Sequence, residues 1–297
     1  WYEYMNHESA EHPEWAGDGG RSERKNEKTF NWQVDNILRW KKEFGEDHRV
    51  EATFLQNAEK GQWWKTVAQN KLYSPSDILG FHNIGAGTAP SVSSEDTYKT
   101  GDALMGRLYY SYKDKYMVTA SVRRDGYSAF GMMNPRATFP AVALGWVFTS
   151  EKFMEPASDW LNYGKLRFSW GQNGNRDIGQ YEALAWLKSS LSPFIDQNGN
   201  IYVTSQVYVD HMGNTALKWE RTGSYNIGLD FSLFNDRLRG SMETYMSETN
   251  DLLVKRSLPN ITGFSDVKAN LGALTNRGFE LSLNGDVMSR KDFNQQI

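Results

Sequence analysis

The chain of 297 residues has no cysteine, which excludes disulfides and thiolate metal sites and leaves its redox compartment unmarked. No apolar run approaches the roughly 18 to 20 residues that a membrane-spanning helix requires. Lys and Arg number 33 against 36 Asp and Glu, a formal net charge of −3, so the basic excess of a nucleic-acid binder is missing. Catalytic signatures are missing too. No Gly-x-Ser-x-Gly elbow occurs, and Gly85-Ala86-Gly87 does not join a strand to a helix as a dinucleotide loop must. His7 and His12 stand five apart, not at the i, i+4 spacing of a zinc-protease helix, and Pro13 with nearby glycines marks that stretch as exposed loop. Asp196-Gln-Asn-Gly-Asn200 sets oxygens at alternate positions but lacks the following Gly and the bidentate Glu of a calcium loop, so a hairpin turn is the better reading. No catalytic residue, metal site or cofactor is therefore assigned.

What is present is aromatic and alternating. Aromatic residues make up 14% of the chain, with 11 tryptophans. The mean hydropathy of −0.65 is that of a soluble protein. A transmembrane barrel has the same average, because lipid-facing and lumen-facing residues alternate along each strand. From Tyr225 to Leu233 the odd positions are Tyr225, Ile227, Leu229, Phe231 and Leu233, with Asn226, Gly228, Asp230 and Ser232 between them. Such strict alternation marks a strand with one oily and one wet face. After the turn dipeptide Asn235-Asp236, Leu238, Met242 and Met246 oppose Arg239, Ser241 and Glu243. The same pattern places strands around 116–123, 142–148, 165–170 and 279–287, and earlier around 32–40 (interrupted at Asn36-Ile37), 50–54 and 104–112. The expected fold is all-β: a transmembrane antiparallel β-barrel, partial, with roughly nine or ten strands, each able to cross a bilayer in about 9 to 11 residues.

Loop lengths are asymmetric. Short turns at Lys113-Asp114-Lys115, Asn235-Asp236 and Ser289-Arg290-Lys291 alternate with long connections at 63–101, 171–219 and 250–275. Outer-membrane barrels are built this way, with short turns on the periplasmic side. The link at 150–162 is longer than its parity implies and has room for a helical turn before Pro156. Asn198-Gly199, between Phe194-Ile195 and Ile201-Tyr202-Val203, predicts a local hairpin on a type I′ turn. Trp40, Tyr112, Tyr116, Trp146, Trp170 and Tyr245 fall near strand ends, as interfacial girdles do.

A series of short segments runs through the second half of the pattern: Thr119-Ala-Ser-Val-Arg-Arg-Asp-Gly-Tyr-Ser-Ala-Phe-Gly131, Thr138-Phe-Pro-Ala-Val-Ala-Leu-Gly-Trp146, Glu151-Lys-Phe153, Leu166-Arg-Phe-Ser-Trp-Gly-Gln-Asn-Gly-Asn175 and Ile178-Gly179. Leu217-Lys-Trp-Glu220, Tyr225-Asn-Ile-Gly-Leu-Asp-Phe231, Asp251-Leu-Leu253 and Asn276-Arg-Gly-Phe-Glu280 continue it. Each is weak alone, but in their order and spacing over 100–288 they specifically resemble the C-terminal barrel half of SusC/RagA-family TonB-dependent outer-membrane transporters. Residues 1–99 fit a barrel without matching a family motif.

The resemblance implies a bacterial outer-membrane barrel of about 22 strands with a plugged lumen. It further implies energy from a TonB complex acting through the plug, a SusD-like lipoprotein that lids the barrel, and oligosaccharide or peptide cargo, with outer-membrane lipid around the wall and no nucleic acid. The sequence departs from the whole-family pattern in having no plug, no TonB-box segment and too few strands to close. No signal peptide follows Trp1. Residues 1–297 are therefore expected to be part of one barrel domain within a longer polypeptide.

Candidate substrate-binding residues lie at the outer rim and loops. Arg123, Arg124 and Asp125 stand where a strand emerges, either as cargo contacts or as a solvated rim that keeps loops apart. Trp63, Trp64 and Trp219, in or beside long loops, stack on sugar faces, pack against a lid, or pin loops to one another. Lumen-facing charges such as Arg167, Arg237, Arg239, Glu243 and Glu280 are expected to bond one another or a plug. Two rivals remain: an outer-membrane adhesin or loop-borne enzyme barrel, and a soluble extracellular β-sandwich glycan-binding module. A catalytic set within loop reach would favour the former, and release without detergent the latter.

Overall fold

A computed structural model of the chain describes residues 1–8, 13–14, 17, 19–73, 80–130, 133–290 and 293–296. His12, Gly131 and Lys291, used in the sequence argument, lie outside the described residues. Among the described residues fifteen strands are present: β1 (Tyr2–Glu8), β2 (Arg21–Phe44), β3 (His48–Lys71), β4 (Ser91–Tyr112), β5 (Tyr116–Tyr127), β6 (Arg136–Val147), β7 (Leu161–Asn175), β8 (Trp186–Ile195), β9 (Ile201–His211), β10 (Glu220–Leu233), β11 (Leu238–Asn250), β12 (Leu253–Ser257), β13 (Asp266–Asn270), β14 (Ala273–Arg290) and β15 (Phe293–Gln296). Eleven form one sheet in the order β1-β2-β3-β4-β5-β6-β7-β10-β11-β14-β15, while β8–β9 and β12–β13 are separate hairpins. The nine strands expected from alternation are all in the large sheet, which gains β1 and β15.

The chain divides into two compact units, Trp1–Val34 with Ala58–Thr100, and Asp35–Asn57 with Gly101–Ile297. In the first, β1 pairs antiparallel with the start of β2, from Tyr2↔Glu27 to Glu8↔Arg21. Charged side chains cross that ladder, with Arg24 Nη2 3.3 Å from Glu3 Oε1. Asn70, 3% exposed, closes the connection after β3. Its amide donates to the carbonyls of Ile84 and Gly87, and its Oδ1 accepts from the amides of Lys71 and Ala89, all at 2.9 Å. A buried carboxamide satisfied this fully ties the end of β3 to the residues that lead into β4. About half of the expected long connection 63–101 is therefore strand, with residues 72–90 between β3 and β4. Ladder hydrogen bonds carry both strands through polar sequence that, without alternation, reads as loop.

In the second unit the antiparallel registers run unbroken across β4 to β6, from Tyr112↔Tyr116 to Gly126↔Arg136, and across β10, β11 and β14. Side chains paired in register share a face. Tyr116, Val118, Leu144, Trp146, Leu166, Phe168, Tyr225 and Ile227 thus form one apolar face, and they are half-exposed or more exposed than their strand neighbours. Thr119, Ser121, Arg123, Lys165, Arg167, Asn226, Asp230 and Glu243 form the other. An isolated water-soluble sheet would bury the first set and solvate the second; here the large apolar residues face outward, as a lipid-facing wall requires.

The tight turns follow the backbone chemistry. Lys113 and Asp114 both adopt positive φ (51° and 49°), as do Phe234, Asn235 and Asp236. The link between β6 and β7 falls at 148–160, slightly before the expected 150–162, and holds two 3₁₀ segments, Phe148–Ser150 and Lys152–Ala157, the second containing Pro156. Glu151 is its anchor: Lys115 Nζ lies 3.1 Å away, Trp146 Nε1 donates at 3.2 Å and the Tyr116 hydroxyl donates to the same carboxylate. Those hydrogen bonds, Tyr116's foremost, hold the Glu151 carboxyl below its ordinary pKa.

The β8–β9 hairpin exists as expected, but its turn is not type I′. Only Gly199 has positive φ (81°), Gly199 N donates to Asp196 O at 3.1 Å and Asp196 N donates to Asn200 O at 3.0 Å. This is a type I turn followed by a left-handed glycine, the three-residue hairpin loop with a bulge. Asp196 Oδ1 accepts from the amides of Asn198 and Asn200 at 2.9 and 2.8 Å. The side chain that resembled a calcium ligand is thus committed to the turn, and the Asn200 side-chain amide, donating to its Oδ2 at 3.0 Å, leads the hydrogen bonds that lower its carboxyl pKa.

Candidate functional site

The polar face of the second unit carries a charge network at mid-strand. Arg167 of β7 reaches Asp230 of β10, Nε to Oδ2 and Nη2 to Oδ1 each at 2.8 Å, and also bonds Glu243 of β11. Asn226 donates to the other Glu243 oxygen at 3.3 Å. One guanidinium is shared by two carboxylates on successive strands, which offsets half of their charge and fixes side-chain positions. The expectation that lumenal charges bond one another holds for Arg167 and Glu243. Arg239 departs from it, donating to the Asp236 carbonyl at 3.1 Å, and Glu280 stands opposite Glu243 in register.

Toward the long-loop end, the polar face opens into a recess of about 450 Å³ lined by Met105, Arg123, Asp125, Gln172, Arg176 and Trp219, among others. Arg123 Nε donates to both Asp125 oxygens at 2.9 Å, an i, i+2 pair on the same face of β5. Arg176 lies 4.9 Å from the centre of the Tyr127 ring, a cation–π distance. Beneath the loops lies the described residues' one hydrophobic core cluster, which includes Tyr127, Phe130, Phe139, Ile178, Leu217 and Trp219. Trp219 stacks on Phe130 at 4.8 Å and 21° and meets Phe139 edge-on at 5.7 Å. The Phe139 ring fills the place that a Cβ on Gly174 would occupy, 2.1 Å from its Cζ, so only glycine fits there. Asn270 secures the segment from the far side: its Oδ1 accepts from Lys218 N at 3.0 Å, and its amide donates to the carbonyls of Lys218 and Asp251 at 2.8 Å.

Three of the six residues picked from sequence therefore converge. Arg123, Asp125 and Trp219 line one recess. Trp219 is 3% exposed and packed between rings, which of the three expected roles favours pinning the loops together. Arg124 points to the opposite, apolar face, because one residue along a strand reverses the side. Trp63 and Trp64 stand inside β3, in the first unit, and are half-buried, with Lys28 Nζ 5.5 Å from the Trp64 ring. They are ladder residues rather than loop residues. Arg176 and Phe139 were missed as site residues. Phe139 sits in a motif already quoted, but nothing in the local pattern singles out Arg176.

On the apolar face a shallow groove of about 500 Å³ is lined by Val118, Leu144, Leu166, Phe168 and Ile227 among others. It belongs to the surface that lipid acyl chains cover and takes no part in the polar site.

A family model described as TonB dependent receptor-like, beta-barrel, matches residues 2–295. TonB-dependent receptor P39 of Formosa agariphila is 35% identical over 256 residues, 86% of this chain and 24% of that protein. TonB-dependent receptor SusC of Bacteroides thetaiotaomicron is 34% identical over 244 residues, 79% of this chain and 22% of that protein. A solved structure of the RagAB peptide transporter superposes with a TM-score of 0.80 at 25% identity, covering 93% of this chain and 30% of that one. The chain spans about a quarter of the length of the curated relatives it matches. Apolar outer face, polar inner face, loop asymmetry and these matches agree: the chain belongs to the TonB-dependent receptor-like β-barrel family of the bacterial outer membrane, alongside SusC- and RagA-type receptors.

Proposed function

We propose that the chain is wall of an energised nutrient importer, in which residues 1–297 are part of one barrel domain whose plug and remaining strands lie elsewhere. Its job is transport, without a catalytic step of its own. Cargo is an oligosaccharide or a peptide, and the recess at the long-loop end is its first contact. The observation that carries this reading is the convergence of Arg123, Asp125, Arg176 and Gln172 on the polar face, directly under the loops. An ion pair beside a second guanidinium offers donors and an acceptor together, which suits the hydroxyls of a sugar or the termini and amides of a peptide.

Partners follow from the same arrangement. A TonB complex would act through the plug, and a SusD-like lipoprotein would cover the mouth. The β8–β9 hairpin supports an outer protein partner. Leu187, Leu191, Val203, Val207 and Ile201 share one face of it, each more than 60% exposed, while the exposed aromatics Phe194, Tyr202 and Tyr208 share the other with Lys188, Ser190, Gln206 and Thr204. An apolar face of that extent on a loop is a contact surface.

The test is uptake by cells carrying the full-length protein, fed labelled oligosaccharide and labelled peptide pools with and without an uncoupler. One pool should enter only in energised cells. Arg123→Ala combined with Asp125→Ala should lower that uptake several-fold at unchanged surface abundance. Uptake of neither pool, or uptake indifferent to the uncoupler, overturns the reading.

A further inference from the structure

The β8–β9 hairpin is a two-stranded ribbon whose outer edges meet no third strand among the described residues. Its ladder has a fixed phase. Asp196 N donates to Asn200 O at 3.0 Å, so that row is hydrogen-bonded. Rows of an antiparallel pair alternate, and the next row, Ile195↔Ile201, turns its N–H and C=O groups away from the partner strand. Counting on in twos, Pro193↔Val203, Leu191↔Ser205 and Ser189↔Val207 do the same. Pro193 checks the count independently, since a residue without an N–H fits only where the ladder asks for none.

The two edges are therefore unlike. Along β8 the outward groups are interrupted at Pro193, and proline on an edge discourages further pairing. Along β9 they run unbroken through Ile201, Val203, Ser205, Val207 and Val209, with no proline or lysine in the run. The side chains of these residues lie on the hairpin's apolar face and are exposed. Lys188 and Asp210, the arms' lysine and carboxylate, lie 3.8 Å apart and offset one another. A lone two-stranded ribbon is marginally stable in water, and a third strand along one edge is the usual remedy.

We propose that the β9 edge captures cargo peptide in extended form, as a third strand of this ribbon. The inference rests on the importer reading and narrows its cargo to peptide. An oligosaccharide has no regular row of N–H and C=O groups to match the edge, whereas any extended peptide has one. Main-chain pairing supplies affinity without reading sequence, and neighbouring side chains add only preference. That suits a mixed nutrient pool, while a fixed protein partner is better recognised through the hairpin's side-chain faces.

The test uses full-length protein in detergent and a fluorescein-labelled nine-residue peptide of alternating Val and Thr. The peptide is offered unmodified, or N-methylated at one or the other alternate set of its amides. The two methylated forms share side chains, and only one of them loses the N–H groups that meet β9. Fluorescence polarisation should show binding weakened at least tenfold for that form and little for the other. Equal loss for both, loss for neither, or no binding of the unmodified peptide overturns the proposal, and none of these outcomes depends on a variant folding. Ser205→Pro removes one outward N–H without touching the β8 ladder and should weaken binding several-fold. Leu191→Pro, on the edge already broken, should leave binding unchanged, and equal effects of the two changes also overturn the proposal. So does loss of a co-purifying outer protein, or of a second copy, from the Ser205→Pro protein, because that chain is then the occupant of the edge. Energised uptake by cells is read separately: its absence for every cargo sinks the importer reading, whereas peptide uptake undiminished in Ser205→Pro cells sinks the edge alone.

Discussion

At the residue scale, two side chains concentrate the local energetics. Trp219 is buried between Phe130 and Phe139 under the outer loops. Trp219→Ala should cost about 3–5 kcal/mol of local stability, as large-to-small changes in packed aromatic sites do. Limited proteolysis should then nick the 176–219 segment in folded protein at enzyme doses that spare the wild type. Glu151 serves the opposite end, where Tyr116, Lys115 and Trp146 all converge on its carboxylate. Its folded pKa lies below the unfolded value, so its contribution is complete above the ordinary carboxylate range and is lost as pH falls through the folded pKa. Trp146 fluorescence should accordingly shift on acidification of the wild type. In Glu151→Gln that acid transition should vanish, and its persistence there would assign it to another group.

At the scale of elements, hairpin β8–β9 shows turn chemistry overriding a dipeptide rule. Asn-Gly between apolar arms points to type I′, but Asp196 binds the amides of Asn198 and Asn200 and holds the chain in a type I turn with Gly199 left-handed. Gly199→Val should cost about 1–2 kcal/mol, the strain of a side chain in that conformation. Asp196→Ala should speed hydrogen exchange at the Asn198 and Asn200 amides while leaving the β10–β11 ladder protected. Equal protection in both variants would mean that the turn is held by its neighbours instead. Alternation made β5, β6, β7, β10, β11 and β14 legible, but not the short hairpin β12–β13 inside the connection 250–275. It failed for the outer parts of β2, β3 and β4, whose polar sequence shows no two-sided pattern, and there the ladder decides.

At the scale of the whole molecule, the division into an apolar and a polar face is the property most open to test. Ile227 lies midway along β10 on the apolar face. Ile227→Arg should destabilise the folded barrel by about 2–4 kcal/mol, the cost of a cation at the bilayer midplane. Thr119→Arg, on the opposite face, should cost much less. Urea unfolding of the full-length protein in lipid vesicles reads both, and equal losses would mean that the two faces share one solvent.

The sequence by itself determined which side of each strand is wet, where the short turns fall, and that Arg167 and Glu243 belong to one face, because a period of two needs no partner to be read. It also carried the family in the order of short motifs from Thr119 to Glu280. Only the tertiary structure decided the rest. The union of Arg123 and Asp125 with Trp219 joins positions nearly a hundred residues apart, and the burial of Trp219 depends on loops whose packing leaves no periodic trace. The separation of Arg124 from Arg123 was implicit in alternation, but its meaning depends on where the apolar band ends. That boundary is fixed by strand length and register across neighbouring strands, and a single segment of sequence contains neither.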